Sequence, residues 1–225
     1  MIRIEYPKTY DIEPTVRGFV NTFFSWEKTD SGEKVDKHNN VNFLIGKRDL
    51  SIMQSILEQK RDETDFLKTM MVTADITAPL YWWKEFENYK HFKIYDKFYL
   101  LNHLQGQPLT LDDFSHEKLL TADDLVPFKN HYRDKAVYQS AIKVLKYVIE
   151  ALNRYRTAYL KTREPVYMDQ LLQLLPMSYN QQRLIILSYH TMRKIYKEQR
   201  YDSSSEWIDF CVWMESLPYS KEFIQ

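Results

Sequence analysis

The apolar positions of this chain follow two periods. Residues 2–6 alternate as a short strand does, whereas Val16, Phe19, Val20 and Phe23 recur at helical spacing after Pro14. Leu50, Met53, Ile56 and Leu57 form a second helical stripe, with Asp49 placed to cap it. Between these helices, residues 29–42 are polar, hold Gly32 and lack a period, which predicts a loop. Residues 60–65 are a charged break. The run 66–77 is rich in strand formers, with Met71, Val72 and Ile76 as core members. Pro79 then suits the first turn of a helix over 80–90. That helix puts Trp82, Phe86 and Tyr89 on one face, with Trp83 beside them and Lys84 on the flank.

Downstream, residues 92–106 read equally as irregular helix or loop, and 111–115 and 119–125 read as short helical turns. The strongest helix spans 132–161, where Val137, Ala141, Val144, Leu145, Val148, Leu152, Tyr155 and Tyr159 repeat three or four residues apart. A short helix over 168–175 ends at Pro176. Another covers 181–200, with Leu184, Ile185, Tyr189, Met192, Ile195 and Tyr196 inward. Ser203 and Glu206 have capping-box spacing ahead of a last helix at about 204–217. The pattern predicts one helix-rich α+β domain over residues 1–225.

Composition narrows the chemistry. Thirty-one basic and 31 acidic side chains cancel, and a dedicated nucleic-acid surface normally needs a basic excess. Only four glycines are present, with no Gly-x-Gly-x-x-Gly and no P-loop pattern. Cys211 is the single cysteine and sits among Ile208, Phe210, Val212 and Met214, which predicts a buried thiol in a reducing compartment. No apolar run reaches the ~18–20 residues of a membrane span, and the first residues lack a signal-peptide core, so a cytoplasmic protein without membrane attachment is expected. Seventeen tyrosines favour clefts and subunit interfaces, and so a homo-oligomer.

Catalytic constellations are sparse. The six histidines (His38, His91, His103, His116, His131 and His190) show no metal-ligand spacing, which argues against a protein-built metal site. Asp112-Asp113 and Asp123-Asp124 read as helix caps ahead of metal ligands. Ser178 and Ser188 lack readable base partners, so a hydrolase triad is not supported. What remains is an aromatic set (Trp82, Trp83, Tyr89, Tyr179, Tyr189) with the cations Lys84, Lys90, Arg183, Arg193 and Arg200. Such a set can stack a planar ring and hold phosphate, or it can fill a core beneath a charged coat.

Ordered segments add a resemblance. Asp75-Ile-Thr-Ala-Pro-Leu-Tyr-Trp-Trp-Lys-Glu-Phe86, Leu111-Asp-Asp-Phe-Ser115, Leu174-Leu-Pro-Met-Ser-Tyr-Asn-Gln181 and a Glu206-Trp helix ending in Leu217-Pro-Tyr219 resemble the diverged flavin-dependent thymidylate synthases of phage and prophage genomes. The resemblance covers most of the chain. It implies that family's fold, a helix-rich domain around a small, mainly antiparallel sheet. It also implies FAD as cofactor, a pyrimidine nucleotide as ligand and sites shared between subunits of a homotetramer. By resemblance Arg200 holds a nucleotide phosphate, with Arg183, Tyr179, Asn180, His190, Lys84, Lys90 and Tyr89 as further nucleotide- or flavin-binding candidates.

The departures run in one direction. The family's Arg- and His-rich motif has no counterpart in residues 80–99, its Ser-Thr-Met-His falls on Tyr99-Leu-Leu-Asn102, and its Asn-x-Arg pair falls near Ser188 and His190. Phe19-Val-Asn-Thr22 stands where the family has Arg-Asn-Pro-Met, and Glu63-Thr-Asp65 where it has a His-Arg-Lys-like stretch. Each lost charge-assisted bond to a cofactor phosphate is worth roughly 1.5–3 kcal/mol. Three readings follow: a degenerate member that keeps the fold and binds a nucleotide or a partner, an active enzyme methylating dUMP or a related nucleotide with methylenetetrahydrofolate and NADPH, and a phage accessory protein that binds another protein. No catalytic residue is assigned.

Overall fold

A computed structural model describes residues 2–35, 39, 41–59, 62–89, 93–95, 106–121, 140–202 and 204–225, of which 62–64 and 93–95 are described by their backbone alone. In chain order the elements begin with β1 (Arg3–Tyr10), α1 (Ile12–Phe23), β2 (Gly32–Val35), β3 (Val41–Leu44) and α2 (Lys47–Glu58). A 3₁₀ stretch (Asp62–Lys68) then leads to β4 (Met71–Pro79), α3 (Leu80–Phe86) and β5 (Lys93–Tyr95). There follow α4 (Ala141–Thr162), α5 (Pro165–Leu174), β6 (Asn180–Ser188), α6 (Tyr189–Gln199), α7 (Ser205–Glu215) and α8 (Ser220–Phe223). One sheet has the order β1-β4-β6-β5, with β5 antiparallel to β6, and β2 pairs antiparallel with β3. The helix-rich α+β class expected from the sequence is the one observed.

The chain divides into two compact units: residues 2–76, 86–95 and 183–225, and residues 77–85 and 96–182. In the smaller unit, Leu109, Phe114, Leu145, Ile149, Leu152, Leu171 and Tyr179 make the core. Asn153 on α4 clamps the backbone of Leu109, accepting its N–H and donating to its carbonyl, both at 2.8 Å. Arg163 closes α4 in the left-handed region (φ 62°), and Pro165 opens α5, as its missing N–H favours. The larger unit is aromatic at its centre. Trp207 stacks on Phe86 with centroids 6.4 Å apart and meets Phe210 and Tyr89 edge-on at 6.0 Å.

Several expectations need correction. Residues 180–188 are strand β6, so the helix expected over 181–200 begins only at Tyr189. One buried face of β6 carries Gln181, Arg183, Ile185 and Leu187, and its two polar members hid the two-residue period. Leu184, expected inward, is exposed. The supposed loop at 29–42 contains β2 and the start of β3, strands too short and polar to show alternation. Helix α4 starts at Ala141, where the Ser140 hydroxyl accepts the Lys143 N–H, and residues 132–139 of the expected helix lie outside those described. Val144 is exposed, and Arg156 joins the buried face. The last helix has Ser204 at its N-cap, and buried Glu206 accepts the hydroxyls of Ser204 and Ser205 at 2.8 and 3.2 Å; Ser203 is not among the described residues.

The start of α2 shows a cap delivered from a distance. Asp49 is not the cap but lies inside the first turn, fully buried, accepting the hydroxyls of Thr29 and of Ser31, the latter at 2.7 Å. Asp30 does the capping: its carboxylate accepts the N–H groups of Arg48 (2.8 Å) and Asp49 (3.1 Å). Desolvation raises the Asp30 pKa, but those N–H groups and the Arg48 charge outweigh it and hold the carboxyl below its ordinary value. Gly46 is the N-cap of α2, and any Cβ there would run into the side chain and backbone of Asp30. Gly46→Ala is therefore expected to expel the cap and cost about 1–2 kcal/mol, read as a lower melting temperature. An unchanged midpoint would show that Asp30 is dispensable.

Candidate functional site

Each candidate side chain is held by the element that carries it. In the smaller unit, Tyr179 is fully buried, edge-on to Phe114 at 5.6 Å, and its carbonyl accepts the Leu80 N–H at 3.0 Å. The neighbouring Asn180 takes the Ser115 hydroxyl at 3.0 Å. Trp82 and Trp83 meet edge-on at 5.0 Å, both buried, and the Trp83 indole donates to the Gln181 carbonyl at 2.9 Å. Lys84 is exposed on α3. Asp113 caps its own 3₁₀ turn through Thr110, as the capping reading of that acidic pair expects, while Asp123-Asp124 lies outside the described residues.

In the larger unit, Arg183 projects from β6 with 9% of its side chain exposed and bonds Glu87 at 2.7 Å. Tyr89 is nearly buried and accepts a hydrogen bond from Gln199 at 2.8 Å. Burial pushes its hydroxyl up to about 12 against the pull of Gln199. Tyr189 is buried, donates to the Pro218 carbonyl at 2.7 Å, and is likewise raised to about 12 by burial. Arg193 donates to the Phe223 carbonyl at 3.0 Å, and desolvation lowers its pKa. His190 is half-buried in the first turn of α6 and has a partner of its own. Lys90 lies outside the described residues.

Arg200 is different. It is exposed at the end of α6, its guanidinium 5.0 Å from the ring centroid of Tyr196 and 4.8 Å from that of Tyr201. Stacking on ring faces leaves the N–H edge of a guanidinium available for oxygen acceptors. Beneath it the Tyr196 hydroxyl donates to Glu215 at 2.6 Å. Burial first, then Glu215, raises that tyrosine to about 12. Cys211 is buried, and burial then Glu215 push its thiol up to about 11. That makes it an unreactive core residue, as its neighbours in sequence predict.

No protein-family model matches the chain, and no curated protein matches it. Solved structures do. Thymidylate synthase X from Helicobacter pylori, crystallised with FAD and dUMP, superposes with a TM-score of 0.61 at 13% identity, covering 100% of this chain and 97% of that one. A second structure of the Helicobacter pylori flavin-dependent enzyme, also complexed with FAD and dUMP, gives 0.60 at 13% identity, covering 99% and 97%. This chain has the thymidylate synthase X fold. The fold resemblance read from the Asp75–Phe86 and Leu174–Gln181 segments is thus carried by the whole backbone.

Within this thymidylate synthase X fold, sequence reasoning named the residues but not their partners. Glu87, the counter-ion of Arg183, stands 96 positions away in the chain, and Gln199, which holds Tyr89, stands 110 away. No local signal links such pairs. Among the described residues no group of three or more His, Cys, Asp or Glu is placed to hold a metal ion, and no helix is long and apolar enough to cross a membrane.

Proposed function

We propose that this protein keeps the thymidylate synthase X fold as a nucleotide-binding scaffold and has given up FAD-dependent methylation. The observation that supports this reading is how its described candidate groups are spent. Arg183 is committed to Glu87, Tyr179 and Trp83 to the core, and Asn180 to Ser115, while Arg200 presents an exposed, ring-stacked guanidinium. A flavin dinucleotide needs charge-assisted partners for two phosphates. Among the described candidates, only the Arg200 fork is both exposed and ring-stacked, a combination suited to the single phosphate of a pyrimidine nucleotide. Apart from Arg200, the exposed cation among the described candidates is Lys84, whose ammonium lacks the guanidinium fork, and this supports a ligand with one phosphate over FAD with two.

The test is a thermal-shift series on the purified protein with its absorption spectrum. A ligand at 100 times its dissociation constant adds about 2.7 kcal/mol, roughly 5–10 °C for a chain of this size. We expect a colourless protein that dUMP stabilises by that amount, that FAD does not stabilise, and whose dUMP shift disappears in Arg200→Ala. A second reading, active FAD-dependent methylation of dUMP or a related nucleotide, is favoured by the full-length likeness to structures holding FAD and dUMP. A yellow protein stabilised by FAD supports it and overturns the first. If neither ligand raises the midpoint, the fold serves a protein partner, as in a phage accessory protein. Light scattering on the same sample reads the homo-oligomer that both ligand-binding readings carry.

A further inference from the structure

Along α1 in the larger unit, beside the 3₁₀ stretch, runs a groove of about 560 Å³, within the usual size range of small-molecule sites. Its floor is aromatic: Phe19 lies 5.0 Å from Phe23 and 5.0 Å from Phe66 between ring centroids. Gly18 stands in its wall, inside the helix, where glycine weakens the structure. A Cβ at Gly18 would meet nothing within 4 Å, so no packing inside the chain asks for glycine there. Its effect is to leave the α1 backbone open to whatever fills the groove.

The polar lining has one character. Thr69 gives its only hydroxyl hydrogen to the Phe66 carbonyl at 2.7 Å, so the 2.7 Å contact between Thr15 and Thr69 must use the hydrogen of Thr15. Thr22 gives its own to the Gly18 carbonyl at 3.1 Å. All three hydroxyls therefore offer lone pairs and no hydrogen. Two carboxylates, Asp11 and Asp65, complete the lining, in which no lysine or arginine stands among the described residues. Asp65 is shared with Lys68 at 2.6 Å. Asp11 sits in the left-handed region (φ 63°) at the N-cap of α1, and its side chain caps no helix N–H. With Asp65 already paired to Lys68, Asp11 and the threonine oxygens make an acceptor rim beside phenyl rings, which disfavours phosphate and suits an ammonium that ring faces also attract.

We propose that this groove binds a small organic amine, its ammonium held by Asp11 and the threonine oxygens and its apolar frame lying on Phe19, Phe23 and Phe66. None of these residues is among the nucleotide-binding candidates, although Phe19, Thr22 and Asp65 stand where the resembling family carries cationic stretches, so either reading can fail alone. The test is calorimetric titration of the full chain with 2-phenylethylamine, with its neutral counterpart 2-phenylethanol and with phenyl phosphate. The amine is expected to bind saturably and about tenfold tighter than the alcohol, the size expected of one ion pair plus a cation–π contact. Phenyl phosphate is expected not to bind here. Asp11→Asn, which tolerates the same backbone, should bring amine and alcohol to equal affinity. Gly18→Leu should abolish binding of both without lowering the melting temperature. The proposal is overturned by equal affinity for amine and alcohol in the unaltered protein, by absence of saturable amine binding, or by amine binding that survives Gly18→Leu.

Discussion

Trp207→Ala is expected to cost about 3–5 kcal/mol and lower the melting midpoint by roughly 6–20 °C. Trp207 is fully buried and touches Phe86, Tyr89 and Phe210, so truncation removes the indole and opens a void between the end of α3 and its own helix α7. The surroundings can collapse only partly. Phe86 is itself pinned edge-on against Phe210 at 5.8 Å, and Tyr89 is tied through its hydroxyl to Gln199. Trp207→Phe keeps most of the contact and should recover most of the loss. Denaturant unfolding followed by circular dichroism measures both variants. A loss under about 1 kcal/mol for the alanine variant would show that the aromatic centre is not what holds the larger unit together.

The second large effect is expected at Asp49. Its carboxylate is fully buried at the first turn of α2 and takes the hydroxyls of Thr29 and Ser31, while Ser31 also accepts the Gly46 N–H at 2.9 Å. Asp49→Ala removes two hydrogen bonds to a buried charged group and leaves two half-buried hydroxyls to find new partners. The expected cost is about 2–4 kcal/mol. Asp49→Asn keeps the shape and one acceptor, so it should fall between the two. Because residues 29–31 also carry the Asp30 cap, the alanine variant should raise hydrogen exchange at the Arg48 and Asp49 amides. Stability within about 0.5 kcal/mol of the unaltered protein would mean that the network is decorative.

The fold was legible where a pattern was long and one-sided. The stripe at Leu50, Met53, Ile56 and Leu57 gave α2, and the run expected as strand over 66–77 gave β4 from Met71 onward, its first residues being 3₁₀ instead, because each has apolar residues at one period and polar residues between. It was illegible at β6, where Gln181 and Arg183 occupy inward positions. Each is accommodated by a partner that local sequence does not name. Glu87 neutralises Arg183, and the Gln181 backbone takes the Trp83 indole. The hairpin at β2 and β3 failed for another reason: four residues per strand give too few alternations to register.

The candidate site followed the same division. Residue types and order were enough to bring out the resemblance to flavin-dependent thymidylate synthases, and the whole-chain superposition at 13% identity bears out the fold. By itself the sequence determined a helix-rich α+β chain of zero net charge, a buried Cys211 and which aromatics and cations could meet a ligand. Tertiary structure alone decided which of those were free to do so. An arginine reads the same in a sequence whether its fork faces solvent, as at Arg200, or a glutamate 96 residues away, as at Arg183. Long-range pairing is set by where the chain folds back, and hydrogen bonds formed there consume groups that composition counts as available.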